Sequence, residues 1–215
     1  MEIYDTEEEQ VEALKRWWKE NGTSTLIGIG LAIAVVLGWD YWKNYKQEQA
    51  LKASALYEQI LKRSAAGKNS DVEKIAAQLQ QKYASTAYAD YGQLFLAKSQ
   101  VAKNALAEAE TTLDKLMKTA DTEISNLARI RLVRVKLASE KYEEGLQLIA
   151  MADPEVTKGF AGIYDELTGD LYVALGRLAE ARTAYTSALR SGSNSPFIQF
   201  KLDDITAADI VSGSE

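Results

Sequence analysis

The distribution of apolar and polar positions divides the chain into three parts. From 21 to 39 it reads NGTSTLIGIGLAIAVVLGW, without one charged residue, and the centre, 26–37, holds only Leu, Ile, Val, Ala and Gly. As a helix this run is about 28 Å long at ~1.5 Å per residue, close to the ~30 Å hydrocarbon core of a bilayer. Trp17 and Trp18 precede it; Trp39, Tyr41, Trp42 and Tyr45 follow it. Amphipathic rings at headgroup depth are the usual flanks of a spanning helix. A cleaved signal sequence fits poorly, because the preceding stretch is acidic and no small-x-small site leads into a mature start. The pattern therefore predicts a transmembrane helix over 22–42, with Trp17, Trp18, Trp39 and Trp42 as interface anchors in the lipid bilayer.

Within the span, Gly28, Gly30, Ala34 and Gly38 bring small side chains to one side. That spacing lets a second helix approach closely; the general abundance of Gly and Ala in membrane helices explains it equally well. Lys15, Arg16 and Lys19 flank one end and Lys43, Lys46 and Lys52 the other, so the positive-inside rule does not orient the span.

Residues 1–21 form an acidic tail. Thr6 and Glu9 have capping-box spacing, which starts a helix near Glu7. Val11, Leu14, Trp17 and Trp18 then share a stripe, and Asn21-Gly22 is expected to end the helix. The stripe fits a helix lying at the membrane surface or a docking arm for a soluble partner.

Beyond the span, 43–215 contains only two prolines, Pro154 and Pro196, so long helices are favoured over strands. Ala50, Ala53, Leu56, Tyr57, Ile60 and Leu61 fall at helical spacing. A polar break follows at 66–70, with Ser70 placed to cap a helix over 71–83. Three later stretches, 104–109, 140–145 and 176–181, each combine a short polar turn, a glutamate and a closing small residue. Those closing residues, Ala109, Gly145 and Ala181, are 36 apart. Helical runs precede each turn (88–103, 127–139, 163–175) and follow it (109–118, 146–151, 181–189). A helix–turn–helix unit recurring at this period is the signature of an α-solenoid.

The last unit resembles the tetratricopeptide repeat pattern at Gly169, Tyr172, Gly176, Ala181, Tyr185 and Ala188. Asp165 and Thr168 stand where that pattern has Trp and Leu, and Val133 and Ala97 replace the first Gly in earlier units. The expected fold is thus all-α: a single transmembrane helix followed by a tetratricopeptide-repeat-like α-solenoid.

Candidate chemistry is sparse. The chain has no Cys and no His, which removes thiol catalysis, disulfides, the usual zinc ligands and histidine acid–base mechanisms. A net charge of −6 argues against nucleic acid as a partner. Gly67-Lys68 lacks the rest of a phosphate loop. The acidic pairs Glu143-Glu144, Asp165-Glu166 and Asp203-Asp204 read as solvated faces. No catalytic residue, metal, cofactor or small-molecule substrate is expected. Arg129, Arg131, Arg134 and Lys136 cluster on one helix, and the first helices of such repeats line the groove. Arg131 and Arg134, three apart, can grip a carboxylate there, or the cluster pairs with acids on adjacent helices.

Met1-Glu2-Ile3-Tyr4, the stretch QVEALKR (10–16), Glu20-Asn21-Gly22 and GWDYW (38–42) closely resemble the YfgM family of bacterial inner-membrane proteins, the ancillary subunits of the Sec translocon, over essentially the whole chain. The resemblance implies a cytoplasmic tail (1–21), a membrane helix (22–42) and a periplasmic repeat domain (43–215). It implies partnership with the SecYEG translocon and the chaperone PpiD, and no enzymatic activity. It also implies help in passing emerging polypeptides to the periplasmic chaperone network. A link to the cytoplasmic response regulator RcsB is associated with the family, which leaves a membrane-tethered stress regulator acting through its tail as the alternative.

Overall fold

Helix forms almost wherever breakers are absent. The computed structural model describes residues 7–191 and 195–212, which hold ten α-helices, one 3-10 turn and no strand. The helices are α1 (Glu7–Ala65), α2 (Asn69–Lys82), α3 (Ala87–Ala102), α4 (Leu106–Thr119), α5 (Thr122–Ala138), α6 (Tyr142–Ala150), α7 (Pro154–Thr157), α8 (Ala161–Ala174), α9 (Leu178–Arg190) and α10 (Phe197–Ser212). The chain divides into two compact units, 1–51 and 52–215.

In the first unit, α1 does not stop at Asn21-Gly22, contrary to the expectation from sequence. Two polar side chains there bond to carbonyls of the helix itself. Asn21 Nδ2 donates to the Trp17 carbonyl at 3.2 Å, and Thr25 Oγ1 donates to the Asn21 carbonyl at 2.9 Å. Gly22 is seated under the Trp18 ring, where an added Cβ would lie 3.2 Å from ring carbon. Thr6 of the capping box, and Met1 to Tyr4, lie outside the described residues.

In the second unit one turn geometry recurs. Gly67, Asn104, Glu140 and Gly176 all adopt left-handed backbone, with φ of 68°, 60°, 59° and 73°. Each ends a helix in the same double hydrogen bond, the Schellman arrangement. The N–H groups of Lys68, Ala105, Lys141 and Arg177 donate five residues back, to the carbonyls of Arg63, Gln100, Lys136 and Tyr172, at 2.8–2.9 Å. Those four residues then become the N-caps of α2, α4, α6 and α9. One stop-and-restart device therefore sets the α1–α2, α3–α4, α5–α6 and α8–α9 turns. It also corrects the reading of Ser70, which lies inside α2 and caps nothing.

Burial is local, as repeat stacking requires. Ala53, Ile60, Val72, Ala76, Leu79 and Ala89 join α1, α2 and α3. Leu94, Ala97, Ala109, Leu113, Leu116, Ala128 and Leu132 join α3, α4 and α5. Ile130, Val133, Tyr164, Leu167 and Leu171 carry α5 onto α8, with α6 against them. Ala181, Tyr185, Ala188, Ile198 and Ile205 close the stack with α10. The small residues 36 apart, Ala109, Gly145 and Ala181, are all buried; a Cβ at Gly145 would lie 2.9 Å from Leu171.

Between the second and third units, Asp153 caps α7 by accepting from the Glu155 N–H at 3.0 Å, ahead of Pro154 at the first turn. The Asp165-Glu166 pair, read from sequence as solvated, is engaged between helices. Asp165 accepts from the Ser187 and Ser191 hydroxyls at 3.0 Å, and Glu166 accepts from Lys201 at 2.8 Å.

An ion network ties α4 to α5 and α6. Lys136 Nζ donates to Glu110 at 2.6 Å and to Glu144 at 2.7 Å, and Lys141 reaches Glu110 at 2.9 Å. Burial opposes ionisation of Glu110, but hydrogen bonds from both lysines outweigh it and hold the carboxyl below its usual value of 4.5. Burial likewise opposes charge on Lys136, and its two carboxylate partners push it above 10.5.

Gly67 and Gly176 face open space, so their role is backbone conformation alone. Glu140→Gly should stabilise the full chain in detergent by about 0.5–1 kcal/mol, and Gly176→Ala should destabilise it by about 1 kcal/mol, read by urea unfolding. The depressed Glu110 contributes stability that is complete above pH 4.5 and lost as pH falls through its lower folded-state value; the raised Lys136 contributes stability lost only above 10.5. Glu110→Gln should therefore flatten the acid limb of the stability profile and cost about 1–2 kcal/mol at pH 7.

Candidate interaction groove and membrane anchor

In the anchor, apolar side chains point outward. Leu26, Ile27, Ile29, Leu31, Ile33, Val35, Val36 and Leu37 are each 52–69% exposed. α1 is the one described helix long and apolar enough to cross a membrane, and only 6% of its apolar window is buried. A core helix of a water-soluble protein would be covered. Gly28, Gly30 and Gly38 have no heavy atom within 4 Å of an added Cβ, and Ala34 is exposed beside them. The tryptophans form two tilted pairs. Trp17 and Trp18 have ring centroids 6.3 Å apart, and Trp39 and Trp42 5.3 Å apart with Lys46 Nζ 4.6 Å above the Trp42 ring. From Trp18 to Trp39 the helix rises roughly 32 Å at ~1.5 Å per residue.

In the repeat unit, the four cationic residues of α5 separate by face. Lys136 enters the ion network with Glu110 and Glu144. Arg129 lies beside the Tyr164 hydroxyl, which donates to Asn126 Oδ1 at 3.0 Å. Arg131 and Arg134 turn to the opposite side and line a cavity of about 280 Å³ with Ala97, Lys98, Val101, Leu113, Val135 and Ala138. Arg131 is half-buried and spends one donor on the Leu94 carbonyl at 3.1 Å. Arg134 is exposed. No carboxylate among the described residues pairs with either guanidinium. Burial and the neighbouring Arg134 charge both disfavour the charged form of Arg131, while Tyr57 offsets them slightly.

Beside this cavity lies an aromatic cluster that the sequence did not reveal. The Tyr57 ring sits 5.7 Å from Tyr88 and 5.8 Å from both Tyr91 and Phe95, and Lys98 Nζ stands 5.8 Å over Phe95. Helical spacing puts Tyr91 and Phe95 on one face of α3; only the packing of α3 on α1 brings Tyr57 to them. A second hollow of about 410 Å³, lined by Glu110, Asp114, Lys136, Glu144 and Met151 among others, is different. Its charges are already paired with each other or, for Asp114, with Lys118.

The positions of the repeat pattern gather at the α8–α9 hairpin. Gly169 faces Tyr185, whose hydroxyl donates to Asp170 at 2.7 Å; Lys201 of α10 reaches the same carboxylate at 2.7 Å. Burial, with the Asp170 carboxylate beside it, pushes the Tyr185 phenol well up. Gly176 makes the turn, Arg177 lies 4.6 Å over the Tyr172 ring, and Ala181 and Ala188 are fully buried.

The model of a family described as a tetratricopeptide repeat-like domain matches residues 15–207. The ancillary SecYEG translocon subunit of Escherichia coli (strain K12) is 29% identical over 96% of this chain and all of that protein. The protein of the same name from Haemophilus influenzae is 30% identical over 88% of this chain and 92% of its own length. That from Neisseria gonorrhoeae is 27% identical over 93% and 97%.

At Gly169 a Cβ would run into the Tyr185 ring, which is 2% exposed and held by Asp170. Gly169→Ala should therefore cost about 2–3 kcal/mol of stability. In a Tyr185→Ala background the same change should cost less than about 0.5 kcal/mol. A double-mutant cycle of unfolding free energies measures the difference.

Proposed function

Since the chain belongs to the family of ancillary SecYEG translocon subunits, we propose that it serves as a non-enzymatic scaffold beside the SecYEG channel of a bacterial inner membrane. Its first residues lie in the cytoplasm and its repeat domain in the periplasm. There it meets the chaperone PpiD and helps hand emerging polypeptides to the periplasmic folding network. One observation carries this reading: likeness over nearly the full length of the relatives, in a chain that joins a membrane-length exposed helix to stacked helical hairpins. The physics agrees with it. A tether keeps the repeat domain near a channel exit, raising its effective concentration there without strong contacts. Helix-pair stacks present long faces for segments of other chains. The side of the span carrying Gly28, Gly30, Ala34 and Gly38 offers room for a neighbouring membrane helix.

A second reading draws on the exposed stripe of Val11, Leu14, Trp17 and Trp18, each 47–65% exposed. In it the tail docks a cytoplasmic regulator such as RcsB, and the molecule tunes a stress response.

Affinity purification of the tagged full chain from membranes in mild detergent separates the two. The scaffold reading expects channel subunits and PpiD in the eluate, retained when residues 2–20 are deleted and reduced when Gly30→Leu and Ala34→Leu crowd the span. Absence of both partners from the intact chain overturns it. Retained partners with lost stress output on deleting the tail would add the regulatory role.

A further inference from the structure

We infer that the cavity between α3, α4 and α5 receives the C-terminal end of a partner polypeptide, a free carboxylate borne on an apolar last residue. The inference deepens the scaffold reading and rests on it for where the partner is met. The walls divide by chemistry. Ala97, Val101, Leu113, Val135 and Ala138 form an apolar lining, and Lys98, Arg131 and Arg134 are its only charged residues. They are a cationic island on a chain of net charge −6.

Two like charges meeting over apolar surface, one of them half-buried, repel each other. Elsewhere in this fold such cost is relieved: Lys136 has Glu110 and Glu144, and Lys201 has Asp170 and Glu166. Arg131 and Arg134 have no such partner among the described residues. Arg131 keeps most of its five donors unspent after its bond to Leu94. A ligand anion would supply the missing charge, and two guanidiniums three residues apart on one helix suit a carboxylate's two oxygens.

Size then narrows the ligand. About 280 Å³ falls just under the roughly 300–1,000 Å³ range of small-molecule pockets, so the space takes a side chain or two. A chain end fits this division best, because its carboxylate and its last side chain leave the same carbon. The rest of the peptide has a path. Lys98 links the cavity to the Phe95 ring, and Tyr57 and Tyr91 continue that surface with faces for further apolar side chains.

The test uses the full-length protein in nanodiscs of uncharged lipid, with empty nanodiscs as blank. The probe is a decapeptide of glycine and serine ending in two leucines with a free carboxylate, carrying an uncharged dye at its other end. Fluorescence polarisation should show saturable binding that weakens with salt. Binding should weaken at least tenfold when the peptide ends in an amide, and at least tenfold for Arg134→Glu. Arg134 is exposed, so thermal unfolding of that variant should match the parent. Arg131→Lys, which keeps the charge and loses the fork, should bind at least threefold more weakly than the parent.

Equal binding of acid and amide peptides, equal binding by Arg134→Glu, or no saturable binding overturns the proposal. An amide-ended peptide with one internal aspartate that binds as tightly as the free acid overturns the chain-end assignment. Sodium laurate that binds through Arg134 while the peptide stays inert gives the cavity to a fatty acid instead. No channel or membrane partner is present in this assay, so its failure leaves the purification result standing, and the reverse.

Discussion

Between Leu26 and Leu37, eight large aliphatic side chains stand with more than half their surface uncovered. At roughly 1.5–3 kcal/mol for burying each, leaving them in water would forfeit on the order of 10–20 kcal/mol. That is comparable with, or larger than, the ordinary net stability of a domain, about 5–15 kcal/mol. Hydrocarbon is the solvent that removes this penalty, and in hydrocarbon a helix is the one open backbone form that satisfies its own N–H and C=O groups. The unbroken passage of α1 through Asn21-Gly22 agrees with the same rule: Asn21 and Thr25 bond back to carbonyls of their own helix.

The repeat domain solves a different problem with local means. Each apolar cluster joins neighbouring helices, and one left-handed residue sets each of the α1–α2, α3–α4, α5–α6 and α8–α9 turns. Long-range order then accumulates from short-range packing. Where charges are buried, at Glu110–Lys136 and at Asp170–Lys201, they fasten one helix to the next. Arg131 and Arg134, with no carboxylate partner among the described residues, depart from that habit, which is why that face carries the argument about partners.

Much of this was readable before any coordinates. The 36-residue period was visible because Ala109, Gly145 and Ala181 are small for a reason that packing imposes on residue type. Gly176 announced its turn for the same kind of reason. Asn104 suits the same backbone conformation, which asparagine tolerates, whereas Glu140 holds it without announcing it, since nothing about a glutamate marks φ above zero. Side-chain partnerships were mostly illegible. Arg131, Arg134 and Lys136 look alike in sequence, and their fates differ because the rotation of α5 against α3, α4 and α6 decides which of them meets an acid. Tyr57 meets Tyr91 and Phe95 through helix packing that no local pattern encodes. α10 lies beyond the last period and had no counterpart to reveal it.

All four tryptophans lie between Trp17 and Trp42, so tryptophan fluorescence, excited selectively over tyrosine, reports on the anchor alone. Reconstitution into vesicles whose lipids carry bromine at defined acyl depths tests the central claim most directly. The account predicts blue-shifted emission, quenched most by bromine near the headgroups and least by bromine at the bilayer centre. Emission at the wavelength of water-exposed tryptophan, unquenched at every depth, would contradict it.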